Sequence, residues 1–144
     1  MSRNPSRFTI VLGFAGVAGL LEGANPTSIA AIVRESTGRS LDHLGLLVSG
    51  LSTLSLAVTI GVFLASYWWA GHANVPRAYG HFAVSLFVAA VLGYAIGSMV
   101  VSVLHLEFSL AAIVDHAIRG SLSVVMIPVI GLAGGAIAQY RSVL

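Results

Sequence analysis

Glu22 is the residue of this sequence whose type and position point most directly to chemistry, because it interrupts an otherwise apolar stretch. If the first helix continues through EGANPTSIAAIV to residue 33, the side chains of Glu22 and Asn25 lie within a membrane. Pro26 then breaks the backbone hydrogen-bond ladder beside them. Burial disfavours the charged carboxylate, so a glutamate at that depth is typical of a site that binds a proton or a cation.

A second interpretation of this stretch ends the first helix at Gly23. The segment GANP then forms a turn at the outer membrane surface, and residues 28–34 form a short surface helix. Glu22 would in that case lie at the interface and have no special role. The sequence is compatible with both interpretations, because the apolar residues 8–21 alone are too few to cross a hydrocarbon core of about 30 Å.

A second group of polar residues lies where the apolar runs begin and end on the other predicted side of the membrane. Two Asp-His pairs recur there, in LDHLGLLVS and IVDHAIRGS. Histidines and carboxylates on neighbouring helices can bind a divalent metal, and two facing histidines can bind a haem. We call this group the outer polar rim; it consists of Asp42, His43, His105, Glu107, Asp115, His116 and Arg119.

The spacing within the outer polar rim favours a structural role. No two of its histidines and acids have the i, i+3 or i, i+4 separation that places two ligands on one helical face. Ser40 can cap a helix in whose first turn Asp42 lies, and Asp115 precedes Arg119 by the spacing of an intrahelical ion pair. The chain has no cysteine, which excludes thiolate ligands and disulfides. We therefore expect no bound metal and no cofactor.

The elements that must position these residues are membrane-spanning helices. The chain has 144 residues, 57% of them hydrophobic and 8% charged, against about 25% charged in soluble domains. Residues 44–71, 82–104 and 120–138 carry no formal charge, and each run is close to or above the roughly 20 residues that a spanning helix needs. We predict an all-α integral membrane protein in which residues 1–144 form one domain. Its four transmembrane helices are expected in a small bundle, at about 8–33, 42–70, 80–105 and 110–140.

The positions of the arginines predict how the bundle is oriented. Four spans place both termini on one side, and that side receives no acid. Short loops with excess arginine stay in the cytoplasm, so we expect both termini to be cytoplasmic in a protein of the cell membrane. The arginines on that side are Arg3, Arg7, Arg77 and Arg141, and the aromatic residues near them are Tyr67, Trp68, Trp69, Tyr79 and Tyr140.

Internal similarity suggests two tandem helix hairpins. An offset of 73 residues relates His43 to His116, and an offset of 74 relates Gly19 to Gly93. Parallel repeats of this kind occur in small transporters, although chance identities are common in so apolar a sequence. Glycines in GFAGVAG and GLAGGA are expected to let helix backbones approach closely, and Pro128 is expected to kink the last span.

Three hypotheses about function follow. The first is a transporter or channel-like protein that moves a proton, a cation or a small solute through Glu22 and Asn25, as a homo-oligomer because four helices enclose a narrow pathway. The second is a non-catalytic accessory subunit of a larger membrane complex. The third is a haem or metal redox protein that uses His43, His105 and His116. No motif joins a serine to a histidine and an acid, so we expect no enzyme. The net charge of +2 is too small for nucleic-acid binding, which leaves the lipid bilayer as the expected partner.

Overall fold

The computed structural model describes the backbone of residues 5–24, 26–38, 41–71, 79–105 and 110–143. Within these ranges it describes the side chains except at 5, 26–27, 36, 41–42, 104–105, 110–123 and 142–143. The described residues form five helices: α1 (Pro5–Ala24), α2 (Pro26–Thr37), α3 (Leu41–Ala70), α4 (Tyr79–His105) and α5 (Leu110–Val143).

Four of these helices contain segments that are long and apolar enough to cross a membrane. This confirms the prediction of an all-α chain with four long apolar helices and indicates a membrane protein. Large apolar side chains face outward along each of them, which soluble proteins avoid on this scale. The segments are Ser6–Ala24, His43–Ala70, Tyr79–Val103 and Val124–Arg141.

The region predicted as the first span, residues 8–33, is divided into two helices. α1 ends at Ala24 and α2 begins at Pro26. A proline is tolerated in the first turn of a helix, where its missing N–H would be unpaired anyway, but it disrupts a helix interior. The boundaries therefore resemble those of the second interpretation. The helix nevertheless has a membrane-length segment, because Ser6–Ala24 contains 19 residues.

α2 is too short to cross a bilayer. Its 12 residues extend about 18 Å at the rise of an α-helix. Gly38 closes its carboxyl end in the left-handed conformation, with φ of 62°, and its N–H donates to the Arg34 carbonyl over 3.0 Å. This is the usual glycine cap of a helix, and it returns the chain towards α3.

The four long helices alternate in direction. α1 contacts α4 and α3 contacts α5 most extensively, with smaller contacts between α1 and α3 and between α4 and α5. Phe8 contacts Trp69, whereas Glu22 contacts Ser55, so α1 and α3 are antiparallel. The starts of α1 and α4 and the ends of α3 and α5 therefore share one end of the bundle. We call it the Arg7 end and the opposite one the Glu22 end.

Glycines bring α1 and α4 into backbone contact. A Cβ atom added at Gly93 would overlap the carbonyl of Gly16, and one added at Gly19 would overlap the carbonyl of Ala90. This confirms the expected close approach at GFAGVAG, except at Gly13, where a Cβ would meet nothing within 4 Å. Close contact between small residues stabilises helix association in lipid, where apolar burial gives no driving force.

The contacts between α1 and α4 also obey the offset of 74 residues. Under this offset Gly16 corresponds to Ala90 and Gly19 to Gly93, so the two contacts above are counterparts of each other. The two parallel helices consequently have a local twofold relation. A second pair of counterparts obeys it too, namely Leu20 with Gly97 and Tyr94 with Gly23.

Candidate functional site

Glu22 lies on the face of α1 that packs into the bundle. It follows Val11, Ala15 and Ala18, all fully buried, at the spacing i, i+4, i+7 and i+11 that keeps residues on one helical face. Its side chain is half-buried. The last turn of α1 thus directs a carboxyl group towards the neighbouring helices instead of towards lipid.

Two other helices contribute polar groups to this carboxyl group. The Ser55 hydroxyl of α3 donates a hydrogen bond of 2.9 Å to Glu22 Oε1. The half-buried Tyr94 of α4 lies within electrostatic range of the same carboxylate. We call Glu22, Ser55 and Tyr94 the Glu22 site. Sequence reasoning found the glutamate but missed its two partners, because they are brought to it only by packing of the helices.

The charge of Glu22 has no cationic partner among the residues that the structure describes. The chain contains no lysine, and none of the described arginines forms an ion pair with this carboxylate. A hydroxyl donor stabilises a carboxylate but leaves its net charge in place. Glu22 also lies in the last turn of α1, where the helix dipole carries partial negative charge and disfavours an anion. Both effects favour a proton or a cation at this position.

Hydroxyl groups continue from the Glu22 site along the same two helices. On α3, Thr59 Oγ1 donates to the Ser55 carbonyl over 2.9 Å. On α4, Ser98 Oγ donates to the Ala95 carbonyl over 3.0 Å, and Ser102 Oγ donates to the Ser98 carbonyl over 2.9 Å. Such bonds satisfy hydroxyls without water, so polar groups extend above the site at little cost in lipid.

Ser66 is a buried hydroxyl that sequence reasoning missed. Its side chain is fully buried, and its Oγ has no hydrogen-bond partner. It shares the α3 face of Ser55 and Thr59 and lies against Gly131 of α5. The recurrence of hydroxyl residues at i, i+4 and i+11 in α3 is the sequence signal that could have revealed this polar face.

The outer polar rim is only partly described. His43 has an exposed side chain near the start of α3. Glu107 and Asn25 lie outside the described residues, so Asn25 stays a predicted member of the Glu22 site. Among the residues that the structure describes, no three His or acidic side chains come close enough to bind a metal ion. The remaining members lie in helices whose side chains are not described at those positions, namely Asp42, His105, Asp115, His116 and Arg119.

The Arg7 end gathers the aromatic residues that the sequence placed beside the arginines. Trp69 stacks on Phe82 with ring centroids 4.4 Å apart, and Phe8 packs against both rings. The Tyr79 hydroxyl donates to the Leu132 carbonyl of α5 over 2.8 Å. These contacts fix the ends of three helices and place amphipathic rings at one end of the bundle.

The fold and the site define a class: a helical membrane protein with a carboxyl group between its spans. No protein-family model, no curated protein and no solved structure matches the chain. A fold of four packed helices supports many functions. The function therefore has to be argued from the Glu22 site.

Proposed function

We propose that this chain is a small transporter or channel-like protein of the cell membrane, in which Glu22 binds the proton or cation that crosses. The observation that carries this proposal is the half-buried Glu22 carboxylate at a helix contact, with a hydroxyl donor 2.9 Å away and no described cationic partner. We place both termini in the cytoplasm, because the arginines of the Arg7 end have no acidic neighbours in the sequence.

The energetics suit a group that changes its charge. A charged side chain at the membrane centre costs about 2.5 kcal/mol or more, and less towards a helix end. A hydrogen bond to a charged group contributes about 1.5–3 kcal/mol. Because these opposing effects are of similar size, neither the charged nor the neutral form of Glu22 is strongly excluded. A reversible binding site requires this balance.

Backbone oxygens at the end of α1 extend the choice of ligand from a proton to a monovalent cation. The last four carbonyls of a helix have no intrahelical N–H partner, and Pro26 lacks the N–H that would bond the Glu22 carbonyl. These oxygens, the Ser55 hydroxyl and the carboxylate form a set of hard oxygen ligands, which suit cations that do not bind to thiolates.

The route between the two ends needs a second copy or a rearrangement. Val11, Val62 and Leu86 are fully buried between the Glu22 site and the Arg7 end, and they close the centre of a single bundle. α3 is the least covered span, with 6% of its membrane segment buried. Its outward face at the Glu22 end carries small and hydroxyl residues, which favour helix association in lipid. We therefore propose that the chain works as a homo-oligomer through this face, whose residues are Gly45, Ser49, Gly50, Ser52 and Thr53.

Flux measurements in liposomes test this proposal. The purified chain is reconstituted with a pH-sensitive dye inside, and proton, sodium and potassium gradients are imposed at a clamped membrane potential. We expect Glu22→Gln to abolish the flux while the protein keeps its helix content and elution volume. Glu35→Gln is the matched control, because Glu35 is exposed on α2. Unchanged flux in Glu22→Gln, or no flux with any of the three ions in the unmodified chain, would contradict the proposal.

The uncovered α3 face also supports a second candidate, an accessory subunit of a larger membrane complex. In that case a different protein covers α3, and Glu22 stabilises the assembly. Purification from the native membrane in a mild detergent separates the candidates. A stoichiometric second protein that crosslinks to α3 favours the accessory subunit, whereas crosslinks between copies of α3 favour the transporter.

A further inference from the structure

Two arginines from different helices converge on neighbouring residues of α3 at the Arg7 end. We propose that Arg7 and Arg141 bind the phosphate group of an anionic phospholipid whose acyl chain lies along the outward face of α3. This inference does not depend on the proposed function, because the residues lie at the opposite end of the bundle from the Glu22 site.

The geometry places the two guanidinium groups on either side of α3. The Arg7 guanidinium of α1 lies 4.4 Å from the centroid of the Trp68 ring. Arg141 Nη1 of α5 lies 3.3 Å from the Tyr67 hydroxyl oxygen. α1 and α5 both contact α3, so a group that lies over the last turn of α3 has one arginine on each side.

The charges leave both arginines available to an anion. Among the described residues neither forms an ion pair with a carboxylate. The tyrosine hydroxyl engages one of the five N–H donors of the Arg141 guanidinium, and the planar fork of donors in arginine matches a phosphate group. All acidic residues of the chain lie towards the other end in the sequence: Glu22, Glu35, Asp42, Glu107 and Asp115.

An apolar track leads away from the two arginines. Ile60, Leu64 and Trp68 follow one another at i, i+4 and i+8 on α3, and their side chains are 50%, 57% and 43% exposed. A single acyl chain can lie along such a row, with its headgroup at the level of the tryptophan, as is usual at membrane interfaces. A soluble phosphate shares the headgroup chemistry but has no use for this row, which is why we commit to a lipid.

Quenching of tryptophan fluorescence by brominated lipids tests the proposal directly, because Trp68 and Trp69 are the only tryptophans of the chain. The full chain is reconstituted in phosphatidylcholine vesicles that contain a minor share of either brominated phosphatidylglycerol or brominated phosphatidylcholine. The ratio of the two quenching efficiencies measures selectivity for the anionic lipid. We expect stronger quenching by the brominated phosphatidylglycerol in the unmodified chain.

Variants identify the residues responsible. We expect Arg7→Gln and Arg141→Gln each to lower the selectivity about fivefold, as the loss of one juxtamembrane cation should, and the double variant to remove it. The double variant with lysine at both positions should keep most of the selectivity, which separates loss of charge from misfolding. Arg34→Gln is the control at the Glu22 end, because Arg34 is exposed on α2.

Three results would overturn the proposal. The first is equal quenching by the two brominated lipids in the unmodified chain. The second is selectivity that survives in the Arg7→Gln, Arg141→Gln double variant. The third is selectivity that inorganic phosphate abolishes at an ionic strength where sodium chloride does not, because that result assigns the arginines to a soluble anion.

Discussion

The Ser55 hydroxyl of α3 donates a hydrogen bond of 2.9 Å to the carboxylate of Glu22 in α1. This bond joins antiparallel helices at the point where α1 ends. It makes the glutamate part of a helix contact instead of a side chain directed at lipid or water. The proposed ion site and the packing of α1 on α3 therefore depend on the same two residues.

A double-mutant cycle measures this bond. Ser55→Ala removes the donor, and Glu22→Gln keeps an acceptor but removes the charge. We expect each single variant to lower the free energy of unfolding, with a coupling energy of about 0.6–1.7 kcal/mol, the range of hydrogen bonds between membrane helices. Unfolding in mixed detergent micelles provides the values. Thr53→Ala is the control, because its hydroxyl donates within α3, to the Ser49 carbonyl. Additive effects of the two variants would contradict the bond.

The glycine contact between α1 and α4 makes a second prediction. A Cβ at Gly93 would overlap the Gly16 carbonyl, whereas one at Gly13 would meet nothing within 4 Å. We expect Gly93→Ala to cost about 1–3 kcal/mol through forced separation of the backbones. Gly13→Ala should be neutral or stabilise the helix by up to about 1 kcal/mol. Thermal unfolding of the two variants in detergent compares them, and equal stabilities would show that the helices do not meet at Gly93.

The buried Ser66 hydroxyl makes a third prediction. Its Oγ has no hydrogen-bond partner, so removing it relieves a desolvation cost of about 1–3 kcal/mol. We expect Ser66→Ala to raise the free energy of unfolding or to leave it unchanged. Ser98→Ala, which removes a hydroxyl bonded to the Ala95 carbonyl, should lower it slightly. A clear loss of stability in Ser66→Ala would mean that this hydroxyl has a partner.

Much of the fold could be predicted from the sequence because membrane helices are encoded locally. The charge-free runs identified α3 and α4 closely, and the glycines of GFAGVAG identified the side of α1 that meets another backbone. The end of α1 could not be predicted, since a proline at position 26 fits both a kinked span and the first turn of a new helix.

The surroundings of Glu22 could not be predicted for a different reason. Ser55 and Tyr94 lie on separate helices, and only the tertiary packing decides which hydroxyls approach the carboxylate. In addition, α1 packs most extensively on α4, which is not its neighbour along the chain. The glycine at Gly93 that permits this contact resembles many others in membrane helices. A sequence pattern shows that a close approach exists, but it does not name the partner.

The central claim is that Glu22 is a carboxyl group within the membrane that takes up a proton or a cation. Modification by a hydrophobic carbodiimide tests it most directly, because this reagent reacts with protonated carboxyl groups in apolar surroundings. Reconstituted protein is treated over a range of pH, with and without sodium ions, and the adducts are located by mass spectrometry. We predict an adduct on Glu22 that forms faster at lower pH, is absent from the exposed Glu35, and eliminates flux. An unmodified Glu22, with Glu35 reacting readily with a water-soluble carbodiimide, would contradict the claim.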